Sequence, residues 1–204
     1  MVGNSIQACA MSSVYGMTMA VANERWFGTL GPLLASPANR SAVFLGRGVP
    51  VLANGLLVSA FSFVAGALIL GFRPSVGAVI PLAAVVVVTV LSCTAFGMLL
   101  GSIGLRAKDF FFAANLAYFL MLLFCGVNIP LETLPGWMSA VGRCLPLTHG
   151  IAAAREVAAG ASLGHVAGLV GTELGIAAAY ALAGLMLFRV LERESRRTAV
   201  LDAY

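Results

Sequence analysis

Residues 76–103 carry no charged side chain and contain the run Val85-Val86-Val87-Val88. A helix of that length crosses the hydrocarbon core of a bilayer, which takes about 20 apolar residues. A soluble fold would have to bury the segment on every side, and the chain lacks the polar surface for that. Of its 204 residues 60% are hydrophobic and only 10% charged, where soluble domains have about a quarter charged. Four more stretches repeat the pattern: residues 2–22, 50–72, 110–127 and 169–190. The first is the most polar, with Asn4, Gln7, Ser12, Ser13 and Thr18. The expected fold is all-α, a polytopic integral membrane protein with five transmembrane helices in a single domain over residues 1–204. Residues 128–168 are only moderately apolar and are broken by Pro130, Pro135 and Pro146. Pieces such as Gly136–Cys144 are too short to span, so short re-entrant or interfacial helices are expected there.

The basic residues orient the spans. Arg25, Arg40, Arg47, Arg106, Lys108, Arg189, Arg193, Arg196 and Arg197 fall on one side, and Arg73, Arg143 and Arg155 on the other. The richer side is expected to face the cytoplasm of a cell with an inner (plasma) membrane, together with the C-terminus. Residues 24–48 then form a cytoplasmic connector and residues 128–168 lie outside. The net charge of +4 reports orientation, and no nucleic-acid partner is expected. The four cysteines share no close spacing, which favours packed thiols over a disulfide framework or a metal site.

The connector is long for a change of direction. It opens on Glu24 and Arg25, turns at Gly28 and at Gly31-Pro32, and carries a short apolar piece, Leu33-Leu34-Ala35, stopped by Ser36-Pro37. Such a segment can lie along the membrane surface and offer a helical knob to another protein.

Glu24-Arg25, Gly28-Thr29-Leu30, Leu33-Leu34 and Ser36-Pro37 resemble a stretch of the ABC-2 type permeases, the membrane subunits of bacterial ABC exporters. A second block does too: Gly126-Val127-Asn128-Ile129-Pro130, Leu134-Pro135-Gly136-Trp137 and Leu145-Pro146-Leu147-Thr148-His149. The blocks stand in the family's order, and the resemblance covers nearly the whole chain. It implies a permease that pairs with itself or a second permease and with two copies of a separate ATPase, which would hold ATP and Mg. The connector, through Glu24, Arg25, Gly28, Thr29, Leu30, Leu33, Leu34, Ser36 and Pro37, would dock on that ATPase. The family usually has six spans with both termini cytoplasmic. A first helix is therefore expected to be missing here. Gly31 stands where many members have an acidic residue.

Own ATP chemistry is excluded, because no G-x-x-x-x-G-K-[ST] loop is present and Lys108 is the sole lysine. No cofactor, metal site or catalytic group is expected in this chain. Residues 160–164 match G-x-S-x-G, the motif of a nucleophile elbow. An intramembrane serine protease using His149 or His165 is the enzyme alternative, although a small-residue loop entering the last helix explains the same residues. A membrane scaffold without transport is a third class. Glu173 reads as a substrate or proton contact or, more simply, as a snorkelling or paired carboxylate near the outer end of the last span.

Two helix faces mix aromatic, flexible and amide groups at helical spacing. One carries Met11 and Tyr15, the other Phe111, Asn115, Tyr118 and Leu122. They could line a path for greasy cargo or simply pack helices. A hydrophobic or amphipathic small molecule is the expected cargo, drug-like or antibiotic-like, with a lipid-linked glycan as the alternative.

Overall fold

The computed structural model describes residues 2–27, 40–71, 76–104 and 110–198. The described residues form helices joined by turns, with no strand among them. In chain order these are α1 (Val2–Trp26), α2 (Arg40–Gly46), α3 (Gly48–Leu70), α4 (Val76–Gly104), α5 (Phe110–Phe124), a 3₁₀ turn at Leu131–Thr133, α6 (Gly136–Cys144), α7 (Thr148–Ala158) and α8 (Leu163–Thr198). Helices are what lipid demands, since they satisfy every backbone donor and acceptor within one segment.

Three of these helices are long and apolar enough to cross a membrane: Gly48–Ile69, Gly77–Ile103 and Leu163–Val190. The other two expected spans differ. α1 is 25 residues long, but its polar content lowers its hydropathy. Most of that content is turned inward, with Ser5, Gln7, Ser13 and Thr18 all buried. α5 is apolar but has only 15 residues. It stops at Phe124 because the chain bends, with Gly126 at φ 73°, a conformation that glycine adopts without a Cβ penalty.

The last helix corrects the expected boundaries in the opposite sense. α8 starts at Leu163 and runs to Thr198, about 54 Å at 1.5 Å per residue. Glu24 and Arg25 lie within α1, while Gly28, Thr29, Leu30, Leu33, Leu34, Ser36 and Pro37 lie outside the described residues.

α4 is the centre of the bundle. It packs against α1, α3, α5, α7 and α8, and its span is 56% buried where that of α3 is 11%. The core gathers Ile6, Cys9 and Val14 of α1, Val85 and Val90 of α4, and Ile151 of α7. Burying a side chain of this size contributes about 1.5–3 kcal/mol in water. Between helices in lipid the gain comes from close packing instead. Cys9, Cys93 and Cys125 are buried and free, and Cys144 is free and exposed.

α6 and α7 share the expected short lengths but not one environment. Most of α6 is exposed, whereas α7 buries Gly150, Ile151, Ala153, Ala154 and Val157. α7 therefore packs among the long helices, and α6 lies at their edge.

Candidate functional site

The two mixed faces meet. Gln7 and Tyr15 project from α1 toward Asn115 and Tyr118 of α5. Gln7 Nε2 donates to Tyr118 Oη over 3.2 Å, and the Tyr15 hydroxyl donates to Asn115 Oδ1. Asn115 Nδ2 turns back to the carbonyl of Phe111, 2.9 Å away on its own helix. The rings of Tyr15 and Tyr118 stand edge to face with centroids 6.2 Å apart, a favoured aromatic geometry. Met11 lies one turn before Tyr15 and is 45% exposed, and Phe111 is 41% exposed. Leu122 is half-buried on the same helix. On the other flank of α1, Asn54 Nδ2 donates to Ser12 Oγ over 2.8 Å.

The outcome is an open face with apolar and aromatic walls and a few amide and hydroxyl groups. Spacing dictates it locally: Gln7, Met11 and Tyr15 recur every four residues on α1, as Phe111 and Asn115 do on α5, so each set shares one side. Such a lining holds large apolar molecules by area and orients them by a few polar contacts.

At the far end of α1, the Arg47 guanidinium donates to the carbonyl of Ala20 over 2.6 Å. Partial burial pulls the Arg47 pKa below its ordinary value, because desolvation disfavours the charged form. This bond ties the turn between α2 and α3 to α1. The later part of α1 and the turn between α2 and α3 thus lie at one end of the bundle.

Of the readings open to Glu173, burial removes one. Glu173 sits well along α8, about 15 Å from the helix start at 1.5 Å per residue, and it is fully buried. It therefore does not snorkel. Its carboxylate accepts from the backbone N–H groups of Leu147 at 2.8 Å and Gly150 at 3.2 Å. These are the first donors of α7, which a helix leaves without internal partners. Sequence reasoning noticed Glu173 but missed this contact, since no local pattern links it to residues more than 20 positions earlier.

Ser162, the serine of the G-x-S-x-G match, is exposed and follows a helical turn, with its carbonyl accepting from His165 and Val166 at the start of α8. No strand leads into it, as an elbow requires. His165 Nε2 instead lies 3.7 Å from Glu156, and His149 Nε2 pairs with the Arg143 carbonyl. Among the described residues no group of three or more His, Cys, Asp or Glu side chains could hold a metal ion.

The bundle is that of a polytopic helical membrane protein with an open amphipathic face. The sequence profile of the ABC-2 type transporter matches residues 2–158, and the chain belongs to that family. Members are membrane subunits for transport and are not themselves catalytic. The chain is similar to the probable multidrug ABC transporter permease YbhR of Escherichia coli, strains K12 and O157:H7, at 27% identity over 133 residues. That alignment covers 65% of this chain and 36% of each relative, so the chain spans about a third of their length. No solved structure matches it.

Proposed function

We propose that this chain is the transmembrane part of an ATP-binding cassette exporter that moves a hydrophobic or amphipathic small molecule out of the cell. The observation that carries the reading is the α1–α5 face. Tyr15 pairs with Asn115, the buried Gln7 pairs with Tyr118 behind them, and Met11 and Phe111 stay exposed beside them. Polar groups facing lipid are costly, which favours a second copy of the chain, or a paired permease, enclosing the face as a path. The multidrug name of the relatives supports drug-like cargo.

In this reading α1 and α5 join α3, α4 and α8 as membrane spans, the C-terminus of α8 faces the cytoplasm of the inner membrane, and α6 and α7 lie toward the outside. Residues 24–48 would dock on a separate ATPase present in two copies, which supplies the ATP and Mg chemistry. The bond from Arg47 to Ala20 would let a push on the connector reach α1 and α3 together.

The test is reconstitution of this chain with its partner ATPase in vesicles, reading ATP-dependent movement of a panel of amphipathic dyes and antibiotics. ATP-dependent transport with the ATPase and none by the single chain is expected. Gly28→Trp should abolish transport and leave dye binding near normal. ATP hydrolysis by the purified single chain would overturn the assignment.

A further inference from the structure

Glu173, a carboxylate of α8 fully buried in the bundle, lies outside the α1–α5 face. Its hydrogen bonds among the described residues come from the Leu147 and Gly150 amides at the start of α7. Cys93 of α4, Cys125 and, on its own helix, Tyr180 lie within electrostatic reach of this carboxylate. Leu147 holds φ 88°, a conformation that strains a non-glycine residue and persists only where its surroundings enforce it. The enforcing bonds converge on this turn. Besides Glu173, Tyr180 donates to the Cys144 carbonyl at 3.1 Å, the Cys125 thiol to that of Pro146 at 3.3 Å, and Thr148 to that of Gly142 at 2.6 Å.

The opposite end of α7 reaches the first helix. Arg155 donates to the Val127 carbonyl over 2.8 Å, and a Cβ at Gly3 would lie 3.0 Å from its guanidinium. α7 therefore bridges α8 to the Gly3 end of α1, the helix that carries Gln7, Met11 and Tyr15.

We propose that Glu173 is a positioning residue: its carboxylate, by holding the Leu147 and Gly150 amides, makes α7 and α8 one rigid piece. When α8 moves it carries α7, and with it the end of α1 beside the path. Glu173 contacts neither cargo nor a transported proton. The first readout below is independent of the transport reading, and only the second rests on it.

The experiment compares Glu173→Gln and Glu173→Asp with the unaltered chain in lipid nanodiscs. Hydrogen exchange over residues 147–150 should quicken by about tenfold in Glu173→Gln, the effect of losing one charge-assisted bond. Glu173→Asp keeps the charge with a shorter reach and should fall between. In vesicles with the partner ATPase, Glu173→Gln should lower turnover by about tenfold and leave the KM for cargo unchanged, as expected when a step other than binding is slowed. Unchanged exchange together with an altered cargo KM, or with a flattened pH profile of transport, would overturn the proposal and make Glu173 a path residue. If Glu173→Gln is not recovered from the membrane, Glu173→Asp carries both readouts, and wild-type exchange and turnover there would equally overturn it. Failure of transport by the unaltered chain would discredit the exporter reading and leave the exchange result standing.

Discussion

Glu173 and the α1–α5 face both set polar atoms among apolar ones, and they are built to opposite ends. Around Glu173 the carboxylate is fully buried, and two backbone amides satisfy it. Along α1 and α5 the amides and hydroxyls satisfy one another while Asn115 stays exposed and Tyr15 and Tyr118 half-exposed. A closed polar cluster has nothing left to offer a ligand, and opening it leaves a buried charge without partners. An open cluster can exchange its internal bonds for bonds to a guest at little cost. The first arrangement suits fixed geometry and the second suits recognition.

The contrast breaks most easily at the closed site. A Cβ at Gly150 would lie 2.1 Å from Thr89 Oγ1 and 3.0 Å from Thr89 Cβ. Gly150→Ala should lower the unfolding free energy by about 3 kcal/mol, the upper range for overpacking. Thr89→Ala removes the nearest atom and should recover more than half of that loss in the double variant, measured by thermal unfolding in nanodiscs. Additive losses in the two variants would show that α4 and α7 are not pressed together there.

At the open site Tyr118→Ala should move function more than stability. It deletes the edge-to-face ring contact and the acceptor for Gln7, and should cost about 1 kcal/mol of stability. Relative transport rates across a dye panel should shift by about tenfold for aromatic compounds, a change worth 1.4 kcal/mol of binding. A uniform fall for all compounds would place Tyr118 in packing.

The smallest effect sharpens the comparison. Tyr15→Phe removes only the hydroxyl that donates to Asn115. Stability should change by about 0.5 kcal/mol, because Asn115 is exposed and water or cargo can replace the lost donor. The KM for cargo with a hydrogen-bonding group should change by about threefold, and that for purely apolar cargo should not.

Much of the architecture is legible in the residues. The charge-free stretches of α3 and α4 can only be helices in lipid, and the prolines at 130, 135 and 146 mark where long helices must stop. The pairing of Tyr15 with Asn115 and Tyr118 is half visible. Each face follows from helical period, but which helix stands opposite does not. The end of α5 and the start of α8 were misjudged, because hydropathy registers neither a glycine turn at 126 nor a helix that begins before its apolar core.

By itself, then, the sequence determined the solvent and the unit of construction. Lipid offers the backbone no partners, so each long apolar run must be a helix, and the order of short blocks around Gly28 and Pro130 marks the family. Only the tertiary structure decided what the polar residues do. Gln7 finds Tyr118, and Glu173 finds the amides of Leu147 and Gly150. These contacts join residues far apart in the chain, and their identity depends on the rotation and crossing of packed helices. Glu173 is thus an anchor rather than a snorkelling carboxylate because α7 aims its first N–H groups at the one acid that is buried among the described residues.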